Sequence, residues 1–116
     1  MNDQRGAPTS AASIAAAVSD IVAKAAAPAA GWPGGMYHLT CSGETTWFGF
    51  ADAILEKRAG ASRQRPALVP ISSREYAAAA RRPKSSLLSN RKLAEVFGIR
   101  MPDWRGALEA CLHQMP

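Results

Sequence analysis

Met36-Tyr37-His38-Leu39-Thr40-Cys41-Ser42-Gly43-Glu44-Thr45-Thr46-Trp47-Phe48-Gly49-Phe50-Ala51 is the stretch on which the architecture turns. Residues 36–41 are β-compatible and stop at Ser42-Gly43, which predicts a short strand. Thr45 or Thr46 then caps a helix running to about Arg58, with Trp47, Phe50, Ala51, Ile54 and Leu55 as its apolar stripe. A second β-compatible run, Ala67-Leu68-Val69-Pro70-Ile71, follows, and Pro70 assigns it to a sheet edge because proline donates nothing to a ladder. Strand, helix, strand is the order that pairs two strands in parallel when they share a sheet. Two strands do not make a self-sufficient parallel sheet, so the pattern predicts a partial fold.

On the N-terminal side, Met1 to Ala7 read as a loop or a strand remnant, and Pro8-Thr9-Ser10 opens a helix with Thr9 or Ser10 as its cap. Ile14, Val18, Ile21 and Val22 recur at helical spacing and predict its buried face. Pro28 and Gly31-Trp32-Pro33-Gly34-Gly35 end it. Gly60 to Arg65 reads as a basic loop. Beyond the second strand, Ser72 or Ser73 caps a helical turn predicted to run through Tyr76 and the alanines to an arginine pair. Ser89 to Phe97 reads as a helix closed by Gly98, burying Leu93, Val96 and Phe97. A last helix starts at Asp103, with Trp104, Leu108, Cys111 and Leu112 inward. The fold class is α/β, mostly helical, with about five helices and two short strands.

At 116 residues and 12.3 kDa the chain is one domain at most, and much of its 47% hydrophobic content is alanine, which buries little area. The net charge of +5 permits anionic partners, but the basic residues are dispersed and lack the interleaved aromatics of a single-strand platform, so nucleic acid is not predicted. No run approaches the roughly 20 apolar residues that span a bilayer, and no signal peptide is evident, so a cytoplasmic protein without membrane contact is expected. Cys41 and Cys111 have neither CxxC spacing nor a histidine-rich neighbourhood and read as reduced apolar fillers.

Chemistry concentrates at Glu75-Tyr76-Ala77-Ala78-Ala79-Ala80-Arg81-Arg82-Pro83-Lys84-Ser85-Ser86. Pro83 biases Arg82 away from helical dihedrals, so two guanidinium forks and two hydroxyls share a turn suited to gripping a diphosphate. The competing reading is an ordinary ion pair with a local acid such as Glu75. His38 and His113 have no orienting carboxylate at a useful spacing, and the Cys and His residues match no zinc pattern, so neither a catalytic set nor a metal site is predicted. Gly31 to Gly35 follows a helix and precedes a strand, the reverse of a dinucleotide-binding loop. Neither Tyr37 nor Tyr76 has a lysine four residues on.

Four blocks together carry a family likeness: Asp3-Gln4-Arg5-Gly6-Ala7-Pro8-Thr9-Ser10; Tyr37-His38-Leu39-Thr40 with Ser42-Gly43-Glu44-Thr45-Thr46-Trp47-Phe48-Gly49-Phe50-Ala51; Glu75-Tyr76 with Ala80-Arg81-Arg82-Pro83, Ser86, Leu88 and Lys92-Leu93; and Pro102-Asp103-Trp104. In this order the chain resembles the C-terminal, substrate-binding part of the dTDP-4-dehydrorhamnose reductases, within the extended short-chain dehydrogenase/reductases. The resemblance implies a small substrate-binding subdomain over residues 1–116, with residues 1–8 at the junction to an NAD(P)-binding Rossmann domain that this stretch does not include. It implies reduction of dTDP-4-dehydro-L-rhamnose to dTDP-L-rhamnose with NADPH, or NADH, in polysaccharide biosynthesis. The cofactor loop and the Tyr-x-x-x-Lys pair belong to the other domain, so this chain alone is expected to be inactive and to bind no cofactor.

By the same resemblance, Arg81, Arg82, Ser86, Gln4 and Thr9 are the candidate contacts for a dTDP-sugar. Ala77-Ala78-Ala79 stand where the family usually has Pro-Thr-Pro, which favours helix in front of the arginines. Trp47 reads as core rather than as a sugar platform, and Asp103 with Trp104 as capping and packing. The alternative function is a non-catalytic binding, regulatory or oligomerisation module on the same scaffold, with a separate Rossmann domain or a second copy as partner.

Overall fold

A computed structural model describes residues 1–26, 31, 33–59, 65–77, 80 and 82–115. Chain order gives β1 (Arg5–Gly6), α1 (Ala11–Ala25), β2 (Thr45–Thr46), α2 (Trp47–Arg58), α3 (Ser73–Tyr76), α4 (Arg91–Phe97) and α5 (Trp104–His113). Four of the five helices among the described residues start at a side-chain cap. Ser10 accepts from the Ser13 amide, Thr46 from Gly49, and Asp103 from Arg105. Ser72 and Glu75 form a reciprocal capping box on α3. Gly98, at φ 66°, closes α4 in the left-handed conformation that glycine adopts without a Cβ penalty.

The two strands lie elsewhere than the β-compatible runs suggest. β1 and β2 pair antiparallel, Arg5 opposite Thr46 and Gly6 opposite Thr45. On its other side, Arg5 donates its amide to the Lys84 carbonyl at 2.8 Å and its carbonyl accepts from the Ser86 amide at 2.9 Å. Residues 36–41 form no ladder, and at Thr40 and Cys41 side chains take up backbone groups that a ladder would use. Asn90 accepts from the Thr40 amide at 3.1 Å and donates to its carbonyl at 2.6 Å, and Thr9 Oγ1 accepts from the Cys41 amide at 2.9 Å. Residues 67–71 likewise stay outside any sheet, tied by the Asn2 amide to the Ile71 carbonyl. The expected parallel strand pair is therefore replaced by a short antiparallel ribbon.

Packing forms two clusters. Ala17 of α1 meets Leu93 and Phe97 of α4 with Ile99 and Met101, flanked by Ile21, Tyr37 and Leu39. Cys41, Ala53, Trp104 and Ala107 form the second, flanked by Phe50 and Leu108, where α2 crosses α5. Residues 37–41 run between the two and contribute to both. Cys41 is buried and Cys111 half-buried, both as free thiols.

The apolar stripes are partly turned outward relative to the expected faces. In α1, small Ala17 lets the helix lie close against Leu93 and Phe97, while Ile14, Val18 and Val22 remain 41%, 46% and 58% exposed. In α2, Phe50 and Ala53 face α5 and Trp47 is 60% exposed, so Trp47 is not a core residue. Val96 is also exposed, since Leu93 and Phe97 already occupy the buried side of the two-turn helix α4. α3 stops at Tyr76, and Ala77 adopts a left-handed φ of 48°; a single capped turn gains too little to propagate through alanines on propensity alone. Ala78, Ala79 and Arg81, most of the basic loop (60–64), and Pro28 and Trp32 lie outside the described residues.

The result is a flat molecule of 56 × 36 × 20 Å with a radius of gyration of 17.6 Å, against about 13 Å for a compact chain of this length. Few large side chains are fully enclosed, so the turns that lock the clusters together matter. Gly43, at φ 78°, lets the chain turn between Cys41 and β2, and a Cβ there would lie 2.6 Å from Asp103 Oδ2. Gly43→Ala is expected to lower unfolding stability by about 2 kcal/mol, from left-handed strain and a displaced α5 cap. Urea denaturation of the two proteins measures it.

Candidate functional site

The pairing of β1 with both β2 and residues 84–86 gathers three remote segments around one cavity of about 450 Å³. Its walls are Gln4 to Thr9, then Thr45, Thr46, Trp47 and Phe50, then Arg82, Pro83 and Ser86. Four of the five candidate contacts, Gln4, Thr9, Arg82 and Ser86, thus share one concavity. Arg81 lies outside the described residues.

Their hydrogen bonding separates them. Thr9 donates its hydroxyl to the Ala7 carbonyl and accepts from the Cys41 amide, each at 2.9 Å, so its polar capacity serves the fold. Ser86 donates to the Arg5 carbonyl at 3.2 Å and holds the strap in place, with lone pairs to spare. Arg82 is exposed and makes no ion pair among the described residues; Glu75, the acid that offered it a partner, is engaged with Ser72 instead. Arg5, by contrast, is paired with Glu44. Among the described residues, the cavity therefore presents one guanidinium without an acidic partner, that of Arg82, beside apolar Trp47, Phe50, Pro8 and Pro83.

Gln4 is the one buried polar or charged residue among the described residues, at 9% exposure. Its Nε2 donates to Ser73 Oγ at 3.1 Å. Ser73 in turn donates both its hydroxyl, at 2.7 Å, and its amide, at 2.9 Å, to Asp3 Oδ1. The Ser73 hydroxyl, and after it the Ser73 amide, hold the Asp3 carboxyl below the usual aspartate range. The carboxylate is thereby kept charged and acceptor-only, so the hydroxyl proton stays on the Asp3 side.

Among the described residues, no three His, Cys, Asp or Glu side chains cluster to hold a metal ion, and no helix is long and apolar enough to cross a membrane. Among the described residues, the cavity walls contain no histidine, cysteine, tyrosine, lysine or carboxylate. Trp47 and Phe50 were missed as wall residues because helical spacing cannot say which stripe member faces a neighbouring segment.

Comparison with known proteins matches this frame over its whole length. The family model described as RmlD substrate binding domain covers residues 1–116. A dTDP-4-dehydrorhamnose reductase of Burkholderia thailandensis is 42% identical over 119 residues, spanning 97% of this chain and 40% of that protein. The corresponding reductase of Escherichia coli K12 is 34% identical, over 99% of this chain and 38% of that protein. Among solved structures, a dTDP-4-dehydrorhamnose reductase from Bacillus anthracis in complex with NADP superposes with a TM-score of 0.82 at 28% identity, over 98% of this chain and 37% of that one. The chain thus spans about two fifths of the length of these relatives.

A low-pH experiment probes the Asp3–Ser73 contact. A carboxyl whose folded pKa is depressed stabilises the fold above its ordinary pKa of about 4 and loses that contribution as pH falls through the folded value. Stability is expected to drop on acidification below about pH 4, and Ser73→Ala to flatten that drop. Thermal melting of both proteins from pH 6 to pH 2.5 follows the difference.

Proposed function

Because the chain belongs to the RmlD substrate binding domain family, we propose that its cavity is the nucleotide-sugar site of a dTDP-4-dehydrorhamnose reductase. In that role the complete enzyme reduces dTDP-4-dehydro-L-rhamnose to dTDP-L-rhamnose with NADPH, in the cytoplasm. The observation that carries the reading is the meeting of Gln4, Arg82, Ser86 and Trp47 on one wall system of 450 Å³, with Arg82 unpaired among the described residues.

The division of labour follows from the side chains. Arg82 supplies charge-assisted hydrogen bonds to the diphosphate, with Ser86 beside it as a hydroxyl partner. Hydride and proton reach the sugar from a Rossmann domain carrying NADPH and the Tyr-x-x-x-Lys pair, groups that the cavity walls do not contain. This chain contributes affinity and orientation, which raise the effective concentration of the reacting carbonyl at that cofactor. Titration by calorimetry tests it: Arg82→Ala is expected to weaken thymidine diphosphate binding about ten-fold or more, the scale of a lost hydrogen bond to a charged group. Equal affinity of variant and parent overturns the assignment.

The aliphatic stripe of α1 supports a second reading of the scaffold, as an association module. Ile14, Val18 and Val22 sit one turn apart on one exposed face, with the Rossmann domain or a second copy of the chain as its cover. Val18→Asp is expected to change the unfolding stability of the chain by less than about 0.5 kcal/mol, since the side chain is half exposed. It abolishes any concentration-dependent self-association seen by sedimentation if the cover is a second copy, and leaves a monomer unchanged if it is not.

A further inference from the structure

Resting on the association reading of α1, we propose that two copies of this chain pair antiparallel through the open edge of residues 37–39, about a two-fold axis at His38.

The segment is extended although it forms no ladder. One carboxamide, that of Asn90, reaches both the amide and the carbonyl of Thr40, so the two point to the same side, as they do in a strand. Tyr37 and Leu39 turn inward to the first cluster and Cys41 to the second, while His38 is exposed, which is the period of two that a strand imposes.

Backbone groups alternate between the two edges of such a strand. On the edge of Met36, His38 and Thr40, α4 supplies partners: Lys92 Nζ donates to the Met36 carbonyl at 2.9 Å, and Asn90, the cap residue of α4, takes both groups of Thr40. On the edge of Tyr37, Leu39 and Cys41, Thr9 Oγ1 takes the Cys41 amide at 2.9 Å. The amides and carbonyls of Tyr37 and Leu39 have no partner among the described residues.

Open groups in a row on one edge are a template for another strand. These four are complementary to themselves. With a two-fold axis at His38, Tyr37 lies opposite Leu39 of the second copy, and each such pair exchanges two hydrogen bonds, so every open group finds a partner. The run is bounded at Gly35, whose φ of 132° departs from the strand path, and at the Cys41 amide that Thr9 holds. A short run symmetric about its middle residue matches a second copy of itself without remainder.

Apolar surface continues from the same side. Thr9 immediately precedes the Ser10 cap, so α1 begins at the open edge and carries its uncovered Ile14, Val18 and Val22 away from there. These side chains, from both copies, add the burial that a two-stranded ribbon lacks when it stands alone.

Sedimentation, hydrogen exchange and cross-linking of the 116-residue chain test the pairing. A dimer is expected to grow in with concentration. Between dilute and concentrated protein the Tyr37 and Leu39 amides slow by about ten-fold or more, while the His38 amide, on the α4 edge, is unchanged. In a Cys111→Ser background, which leaves buried Cys41 as the remaining native thiol, His38→Cys forms a disulfide-linked dimer on mild oxidation, because residues opposed at the axis stand about 4.5 Å apart at Cα. Met36→Cys, at a position 80% exposed, does not, since four residues, or about 13 Å, separate it from its symmetry mate. Melting curves report that both variants are folded, and the exchange experiment needs no variant. A chain that stays monomeric at every concentration overturns the proposal, and so does equal cross-linking of Met36→Cys and His38→Cys. A dimer whose Tyr37 and Leu39 amides exchange as fast as the monomer's also overturns it, while leaving the association reading in place with its contact on α1 alone.

Discussion

The short strand β1 is paired along both of its edges, and the rest of the molecule is arranged around that fact. The Arg5 amide and carbonyl pair with residues 84 and 86, while β1 pairs with β2 on the opposite side. An N-terminal segment, the entrance to α2 and a turn some eighty residues downstream are thereby held side by side. Each loop closure costs chain entropy that grows only slowly with length, so a few short backbone pairs suffice when side chains such as Asp3 with Ser73 add to them. The cavity is the space left where these three segments meet.

Side chains substitute for a sheet elsewhere. Asn90 pairs both backbone groups of Thr40, and Thr9 takes the amide of Cys41, so the C-terminal end of the segment between the two clusters is paired without a partner strand. The cost is local: Asn90 stands at the N-cap of α4 but offers that helix no side-chain bond, because its amide is spent on Thr40. Polar side chains thus do what ladders do in a larger sheet, and the apolar residues of the segment are free to alternate between the two clusters.

The sequence supplied candidates for the site, some from residue types and some from the family likeness. Arg82 and Ser86 stand in a motif whose residue types suit a diphosphate, Gln4 and Thr9 came from the family likeness alone, and all four line one cavity. Their individual roles were not legible. Thr9 is consumed by the backbone of Ala7 and Cys41, and Trp47, read as core, is open. Competition for the same atoms from distant segments decides such questions, and no local pattern records that competition.

The linear sequence determined where four of the helices begin and where α4 ends, because caps and glycines act within one turn of themselves: Ser10, Thr46, Ser72, Asp103 and Gly98 stand at the termini their chemistry predicts, whereas α3 stops at Tyr76 short of its expected end. Tertiary structure alone decided which faces are covered and which strands form. Ala17, not the larger Ile14, Val18 or Val22, faces the first cluster, since close approach to Leu93 and Phe97 favours the small residue. The β-compatible runs at 36–41 and 67–71 stay out of the sheet, while Arg5–Gly6 and Thr45–Thr46 enter it, because strand pairing depends on a partner arriving from elsewhere in the chain and not on the propensity of the segment itself.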